Sequence, residues 1–402
     1  MNYDFLKLAK ELEQDCLNFL LELIAIKSMC SEEKNVIQRI NQEMEKLEYD
    51  DITIDPMGNI LGRVGNGPIK IALDAHVDTV DVGNLSLWET DPFKGVIKNR
   101  IVYGRGAGDM KGALASIVYA GGLIKKLGLT DGVSLYVTGT VMEEDCDGLC
   151  WQYIAKEDKL RPDCVVIAEP TNLNIHRGQR GRMDIQVVTK GISSHGAMPE
   201  RGVNAIYKMA PIIADVEQLN HRLKQDEFLG KGTITISQIR STSPSLNAVA
   251  DGATIHIDRR LTAGETLESA LNEIKSLPSV QQAEAEVIVP VYDTPSYTGL
   301  KYPTKKYFPT WVIEEDHYAI QSGVKAYQQV FGDHPIVDKW NFSTNGVATM
   351  GMLEIPTIGF GPGNEIYAHS PQDQVPVDHL HKAIAFYTAF PQHFKNEKEE
   401  LE

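Results

Sequence analysis

Ile69-Lys70-Ile71-Ala72-Leu73-Asp74-Ala75-His76-Val77-Asp78 begins as an apolar run of strand length and ends among acids and a histidine. Residues two apart on a strand share a face, so Asp74, His76 and Asp78 are expected to point together near its carboxyl end. The segments downstream of this strand settle the fold class. The glycine-rich Gly104-Arg105-Gly106-Ala107-Gly108 leads into a helix over about 112–127. Residues 134–141 read as a buried strand, a helix comes next through Cys150 and Ile154, and 164–168 is a further strand. Strands alternating with helices predict an α/β domain with a mainly parallel sheet flanked by helices. Open sheets of this kind hold their ligands beyond the carboxyl ends of the strands.

Upstream, residues 1–23 carry an apolar periodicity broken by Lys7, Lys10, Glu11, Glu13 and Asp15. That is the pattern of an amphipathic helix, not of a signal peptide. Residues 35–47 predict a second helix, and 52–54 with 60–62 a hairpin around Asp55-Pro56-Met57-Gly58-Asn59. The pattern changes near Arg182. Strand runs at 183–189, 232–239, 253–261 and 285–291 enclose helices at 204–223 and 267–274. This β-α-β-β-α-β order predicts an inserted α+β ferredoxin-like unit. Helix 318–331, strand 357–360 and helix 379–390 then resume the first pattern, and the charge run 395–402 reads as solvated and frayed. The expected division is a catalytic domain in two parts, 1–181 and 293–402, with 182–292 inserted between them.

The 402 residues exceed one ordinary core, and 42% hydrophobic with 23% charged content is globular. A formal charge of −16 and a pI near 5.2 argue against nucleic acid or an anionic membrane as partner. No stretch is apolar for long enough to span a bilayer, so a cytoplasmic protein is expected. The five cysteines Cys16, Cys30, Cys146, Cys150 and Cys164 show no framework spacing and read as ordinary reduced thiols.

Five scattered stretches end strands or fill the loops after them: Asp74-Ala75-His76-Val77-Asp78, Gly108-Asp109-Met110, Glu143-Glu144-Asp145, Ala168-Glu169-Pro170 and Ala368-His369-Ser370. Each has a plain reading by itself. Asp109 suits a helix N-cap, three acids in a row suit a solvated surface, and His369 suits an exposed loop. Together they supply two imidazoles and several carboxylates at one edge of one sheet. That is the ligand set of a site for two divalent metals and of metal-assisted hydrolysis. A ligating histidine needs a partner on its other ring nitrogen, and Asp78 is the candidate for His76. The glycines before Asp109 fit neither the dinucleotide nor the phosphate-loop spacing.

In the order and approximate spacing of His76-x-Asp78, Gly108-Asp109-Met110-Lys111-Gly112, Glu143-Glu144, Ala168-Glu169-Pro170 and His369-Ser370-Pro371, the chain resembles the M20 metallopeptidases and deacylases. That family includes acetylornithine deacetylases, succinyl-diaminopimelate desuccinylases and carboxypeptidase G. The resemblance implies one metal held by His76, Asp109 and Glu169 and another by Asp109, Glu144 and His369. Glu143 would be the general base, with Asp78 orienting His76. Ligands of nitrogen and oxygen favour Zn²⁺, with Mn²⁺ or Co²⁺ as further candidates. His195, in Gly191-Ile192-Ser193-Ser194-His195-Gly196, resembles the histidine that reaches a neighbouring subunit's site and steadies the oxyanion. The inserted unit would thus serve as lid and homodimer contact. Asn247, Arg260, Arg180 and the loop Ser343-Thr344-Asn345-Gly346 are similar to positions that grip substrate.

Two departures, Asn345 in place of Asp and Asp373 in place of Glu, bear on specificity, and they resemble the branch of selenium-metabolism-linked hydrolases. The implied function is deacylation of a small N-acyl amino acid. A di- or tripeptidase or carboxypeptidase using the same metals is the alternative. A non-catalytic binding protein that keeps the fold is the alternative of another class.

Overall fold

The computed structural model describes residues 3–401. The first helix is not continuous, as expected for 1–23, but divides at Leu12 into Phe5–Glu11 and α1 (Glu13–Ala25). Just past that break Glu13 pairs with Lys10 at 2.6 Å, Arg100 at 2.8 Å and the buried His381 at 2.6 Å; residues 1 and 2 lie outside the described residues. α2 (Lys34–Lys46) turns Val36, Ile37, Ile40 and Met44 to the core. β1 (Asp51–Ile54) and β2 (Ile60–Val64) pair as a hairpin, and β3 (Ile69–His76) comes after them. α3 (Gly112–Leu127), β4 (Val133–Thr140), α4 (Leu149–Lys156), β5 (Cys164–Ile167) and β6 (Ile175–Gln179) continue the alternation. Next come β7 (Gly181–Lys190), α5 (Ala205–Arg222), β8 (Thr233–Thr242), β9 (Gly252–Leu261), α6 (Leu267–Lys275) and β10 (Glu286–Ile288). α7 (Tyr318–Phe331), β11 (Thr357–Gly359) and α8 (Val377–Glu399) return to the first unit.

The main sheet has nine strands, in the order β1-β2-β4-β3-β5-β11-β6 and then Trp311–Val312, with Val337–Trp340 also pairing β6. Its centre, β4-β3-β5-β11, is parallel, whereas β1, β2 and the join of β11 to β6 are antiparallel. The strand period places β3 between two cores. Ile71, Leu73 and Ala75 join one apolar cluster with Leu114 and Ile117 of α3 and Phe386 and Phe390 of α8. Ala72 joins the other, with Cys150, Trp151 and Ile154 of α4. Burial of side chains this large contributes roughly 1.5–3 kcal/mol each, so packing on both faces fixes where the strand ends, and with it His76.

The second sheet runs β8-β9-β7-β10, antiparallel throughout, with Tyr307–Phe308 added beside β7. That order belongs to a ferredoxin-like unit. It has its own core, in which Met183, Ile185, Ile255 and Ile257 meet Met209 and Ile212 of α5 and Ile274 of α6. Over residues 395–401 the tail corrects the expectation of a frayed end, and residue 402 lies outside the described residues. α8 continues to Glu399, and Lys395 pairs with Asp131 and Lys398 with Asp163. All five cysteines are free.

Candidate metal centre

β3 ends on His76 at the carboxyl edge of the sheet, 1% exposed. Its Nδ1 lies 2.9 Å from the Asp78 carbonyl oxygen. A carbonyl only accepts, so Nδ1 carries a proton, and a metal would be ligated through Nε2 once that nitrogen is deprotonated. Nε2 faces Asp109 Oδ1 at 3.1 Å and Glu169 Oε1 at 3.4 Å. On the far side of the same carboxylate, His369 Nε2 lies 3.3 Å from Asp109 Oδ2 and 2.9 Å from Glu144 Oε2. Two groups of candidate ligands therefore meet at Asp109, one oxygen turned to each histidine. The edge of a tetrahedron with metal–ligand bonds of 2.0–2.2 Å is about 3.4 Å, close to these spacings.

Asp78 supports the site differently from expected. Its backbone carbonyl, not its carboxylate at 3.6 Å, is nearest to His76. The carboxylate accepts instead from the amides of Glu143 at 3.2 Å and Glu144 at 3.0 Å, fixing the turn that carries both acids. Asp109 is not an N-cap: α3 begins at Gly112 with no side-chain cap. Asp109 is held through the glycine loop before it. Asp373 accepts from the Gly106 amide at 2.6 Å, the Gly108 amide at 2.8 Å and Arg105 Nη1 at 3.2 Å. A Cβ on Gly108 would stand 2.7 Å from the Gln374 carbonyl oxygen, so only glycine lets the loop pack so closely. Asp373 thus clamps the loop under Asp109 and does not itself line the cavity.

Buried negative charge dominates the electrostatics. Burial pushes the Glu143 carboxyl well up, helped by Asp147, Glu169 and Glu144 and opposed by His76. Burial and Asp109 push Glu144 up and bring Glu169 to about 7. Burial also raises Asp109, but hydrogen bonds from His369 and His76 outweigh it and hold that carboxyl below the usual range. Hydrogen bonds to Asp109 and Glu144 bring His369 up to about 10. Glu143 Oε1 and Glu169 Oε2 are buried with no hydrogen-bond partner. Such a cluster is balanced by protons or by cations, and its oxygen and nitrogen donors fit two divalent ions. Glu143 also comes within 4.8 Å of His76 and Glu169, so distance alone does not separate base from ligand.

These groups line a cavity of about 280 Å³ that both units share. Arg260 of β9 faces it while gripping Asp258 at 2.8 Å. Ser343 also lines it, hydrogen-bonded to Asp147. Arg182 of β7, 3.6 Å from Asp147, and Phe342 and Glu365 complete the wall without having been expected there. Arg182 had a signal: it stands two residues after Arg180, along the start of a strand.

The other expected contacts are placed elsewhere. Arg180 donates to the carbonyls of Lys231 at 3.1 Å and Asn341 at 3.0 Å. Asn345 is 2% exposed, and its Nδ2 donates to Asp74 Oδ2 at 2.9 Å, so it belongs to the wall behind the cavity. Asp74 likewise points into that wall, with Thr138 donating to it at 2.7 Å. His195 and Asn247 are neighbours on the exposed surface of the inserted unit, joined by the bridge of His195 to Ala248, and neither lines the cavity.

The sequence matches a model described as peptidase family M20/M25/M40 over residues 72–393. It is 53% identical to the uncharacterized protein YgeY of Escherichia coli (strain K12), covering 96% of each chain. It is 29% identical to an acetylornithine deacetylase of Klebsiella pneumoniae, covering 78% of each. Its fold is similar to that of the aminopeptidase PepT of Bacillus cereus, with a TM-score of 0.72 and 18% identity over 95% of this chain and 99% of the other.

Proposed function

Since the chain belongs to peptidase family M20/M25/M40 and is thereby a hydrolase of amide bonds, we propose that it is a two-metal deacylase of small N-acyl amino acids. The shared carboxylate of Asp109, one oxygen toward each histidine, carries this reading. His76, Asp109 and Glu169 would hold one cation and Asp109, Glu144 and His369 the other, with Zn²⁺ first and Mn²⁺ or Co²⁺ next. When bound, such a pair polarises a carbonyl and lowers the pKa of water toward roughly 7.

The protein's own groups do the rest. Glu143 takes a proton from water and passes it to the leaving amine, a role suited to a carboxyl that burial has raised above its ordinary range. Arg260 and Arg182 face the same cavity and can hold a substrate carboxylate. The deacetylase activity named for the Klebsiella relative supports an acyl substrate.

We assign residues 182–292 to a lid that also joins two subunits. Ile192, Met198, Val203, Ile206, Tyr207, Ile239 and Leu246 are exposed apolar side chains of that segment, although others, such as Leu85 and Leu87, lie outside it. His195 stands among them; in such a dimer it would reach the partner's cavity and steady developing oxyanion charge, an effect worth about 3 kcal/mol.

A second reading has one observation in its favour. Glu365 lines the cavity with a buried Oε2 that has no partner, the group that would hold the free amine of a short peptide. Assay of metal-loaded protein on N-acyl amino acids against di- and tripeptides separates the two. Glu143→Ala tests the shared mechanism: turnover should fall by roughly 10²–10⁴ while metal content stays near two per subunit. Retained turnover in that variant sinks it.

A further inference from the structure

Behind the proposed ligands a half-buried thiol meets two buried carboxylates. Cys30 Sγ lies 3.0 Å from Asp78 Oδ2. Glu33 is 0% exposed; its Oε1 accepts from the Met142 amide at 3.1 Å, and its Oε2 has no hydrogen-bond partner. One ligand atom from each of Cys30, Glu33 and Asp78 lies within 4.8 Å of the others. Among the described residues, the ion-pair partner of Asp78 is His76. Burial and the Asp78 charge bring Glu33 up to about 8. This is buried negative charge that neither the ligand sets nor the base accounts for.

We propose that Cys30, Glu33 and Asp78 form a further cation site, distinct from the two-cation centre, that takes a thiophilic divalent ion such as Zn²⁺ or Cd²⁺. One sulfur and two carboxylate oxygens select borderline and soft metals over Mg²⁺ or Ca²⁺. Binding exchanges the thiol proton for the metal: the S–H bond breaks, an S–metal bond forms, and one proton leaves to solvent. With a Zn–S bond near 2.3 Å and Zn–O near 2.1 Å, tetrahedral sulfur and oxygen ligands stand roughly 3.6 Å apart. Sγ must therefore move about half an ångström from Asp78, and Cys30 is the partly exposed member of the three. That open side also admits the ion and a water as fourth ligand.

The site is coupled to catalysis through one atom. Asp78 Oδ2 also accepts from the Glu144 amide at 3.0 Å. A cation on that oxygen weakens its hold on the turn carrying Glu143 and Glu144, so occupancy slows turnover.

The sulfur supplies a test independent of the proposed function. Full-length protein is titrated with Cd²⁺ beyond two equivalents while thiolate-to-metal charge-transfer absorption is monitored in the ultraviolet. The two-cation centre, with only nitrogen and oxygen ligands, gives no such band. The expected result is a one-thiolate band arising with the third equivalent, absent in Cys30→Ser and shifted to at least tenfold weaker affinity in Glu33→Gln. No band in the wild type, or a band that survives in Cys30→Ser, overturns the proposal. Fewer than two cations bound outside the thiolate would count against the proposed function and not against this site. Excess Zn²⁺ should inhibit the wild type and spare Cys30→Ser; equal inhibition overturns the coupling through Asp78.

Discussion

Asn345→Asp places a second carboxylate against Asp74 in the wall beneath His76. Asp74 is 1% exposed and Asn345 2%. The amide donates to Asp74 Oδ2 at 2.9 Å and to Thr140 Oγ1 at 3.1 Å, while its oxygen accepts from the Gly148 amide at 3.0 Å. In the variant a carboxylate oxygen takes the place of that donor. Two negative charges about 2.9 Å apart repel by about 6 kcal/mol at an effective dielectric of 20. Taking up one proton is cheaper. Keeping a carboxyl protonated at pH 7, three units above its ordinary pKa, costs about 4 kcal/mol, and that is the expected loss of stability.

Burial already pushes Asp74 up, and the pair shares the added proton. Between the ordinary carboxyl pKa and the raised folded value, the folded state binds more protons than the unfolded one. Stability therefore falls as pH rises through that window, and the penalty shrinks by about 1.4 kcal/mol for each unit toward pH 4. Urea unfolding of metal-loaded protein at pH 5 and pH 7.5 reads this directly. Adding Asp74→Asn to Asn345→Asp reverses the pair and should restore most of the loss. A single variant within 0.5 kcal/mol of wild type at the higher pH, or a loss equal at both, refutes the pairing.

The site carries three further expected outcomes. Asp373→Asn turns an amide N–H toward the Gly106 and Gly108 amides, and should weaken metal affinity roughly 10–100-fold in chelator competition; unchanged affinity means that the loop under Asp109 needs no clamp. Stripping metal should lower the thermal midpoint, because ions held at 1,000 times their Kd contribute about 4 kcal/mol; identical calorimetric transitions with and without chelator contradict a two-cation centre. Equal mixtures of Glu143→Ala and His195→Ala subunits, unfolded and refolded together, should recover about a quarter of wild-type activity by random pairing of a two-fold dimer, and no recovery removes His195 from the partner's site.

The fold was readable wherever burial imposed a period. β3 alternates between two cores, and α2 shows a stripe that no other element could bury. Where no period exists, nothing was readable. Val96–Lys98, Ile101–Tyr103 and Gln374–Pro376 form a three-stranded sheet from segments of three residues each, too short to alternate visibly. The charged end of α8 fails for another reason. Its order depends on Asp131 and Asp163, far away in the chain, and a charge run does not announce whether its partners exist.

The same limit separates the aspartates of the site. Asp109, Asp78, Asp373 and Asp74 are one residue type near one centre, and the strand-end pattern marks where they gather without saying what each does. Asp109 meets two imidazoles, but His76 and His369 are far from it in the chain, so its role is legible only through the order in which the motifs resemble a known family. Asp78 and Asp373 meet backbone amides, which every residue but proline possesses, so nothing in the sequence distinguishes them from ligands. Asp74 meets Asn345 across 271 positions, and read alone each looked like part of the chemistry. The carboxylates that contact imidazole make the proposed centre, and those that contact amides hold it in shape. Cys30 on Asp78 joins these two classes, because the oxygen that it touches is also one that fixes Glu144.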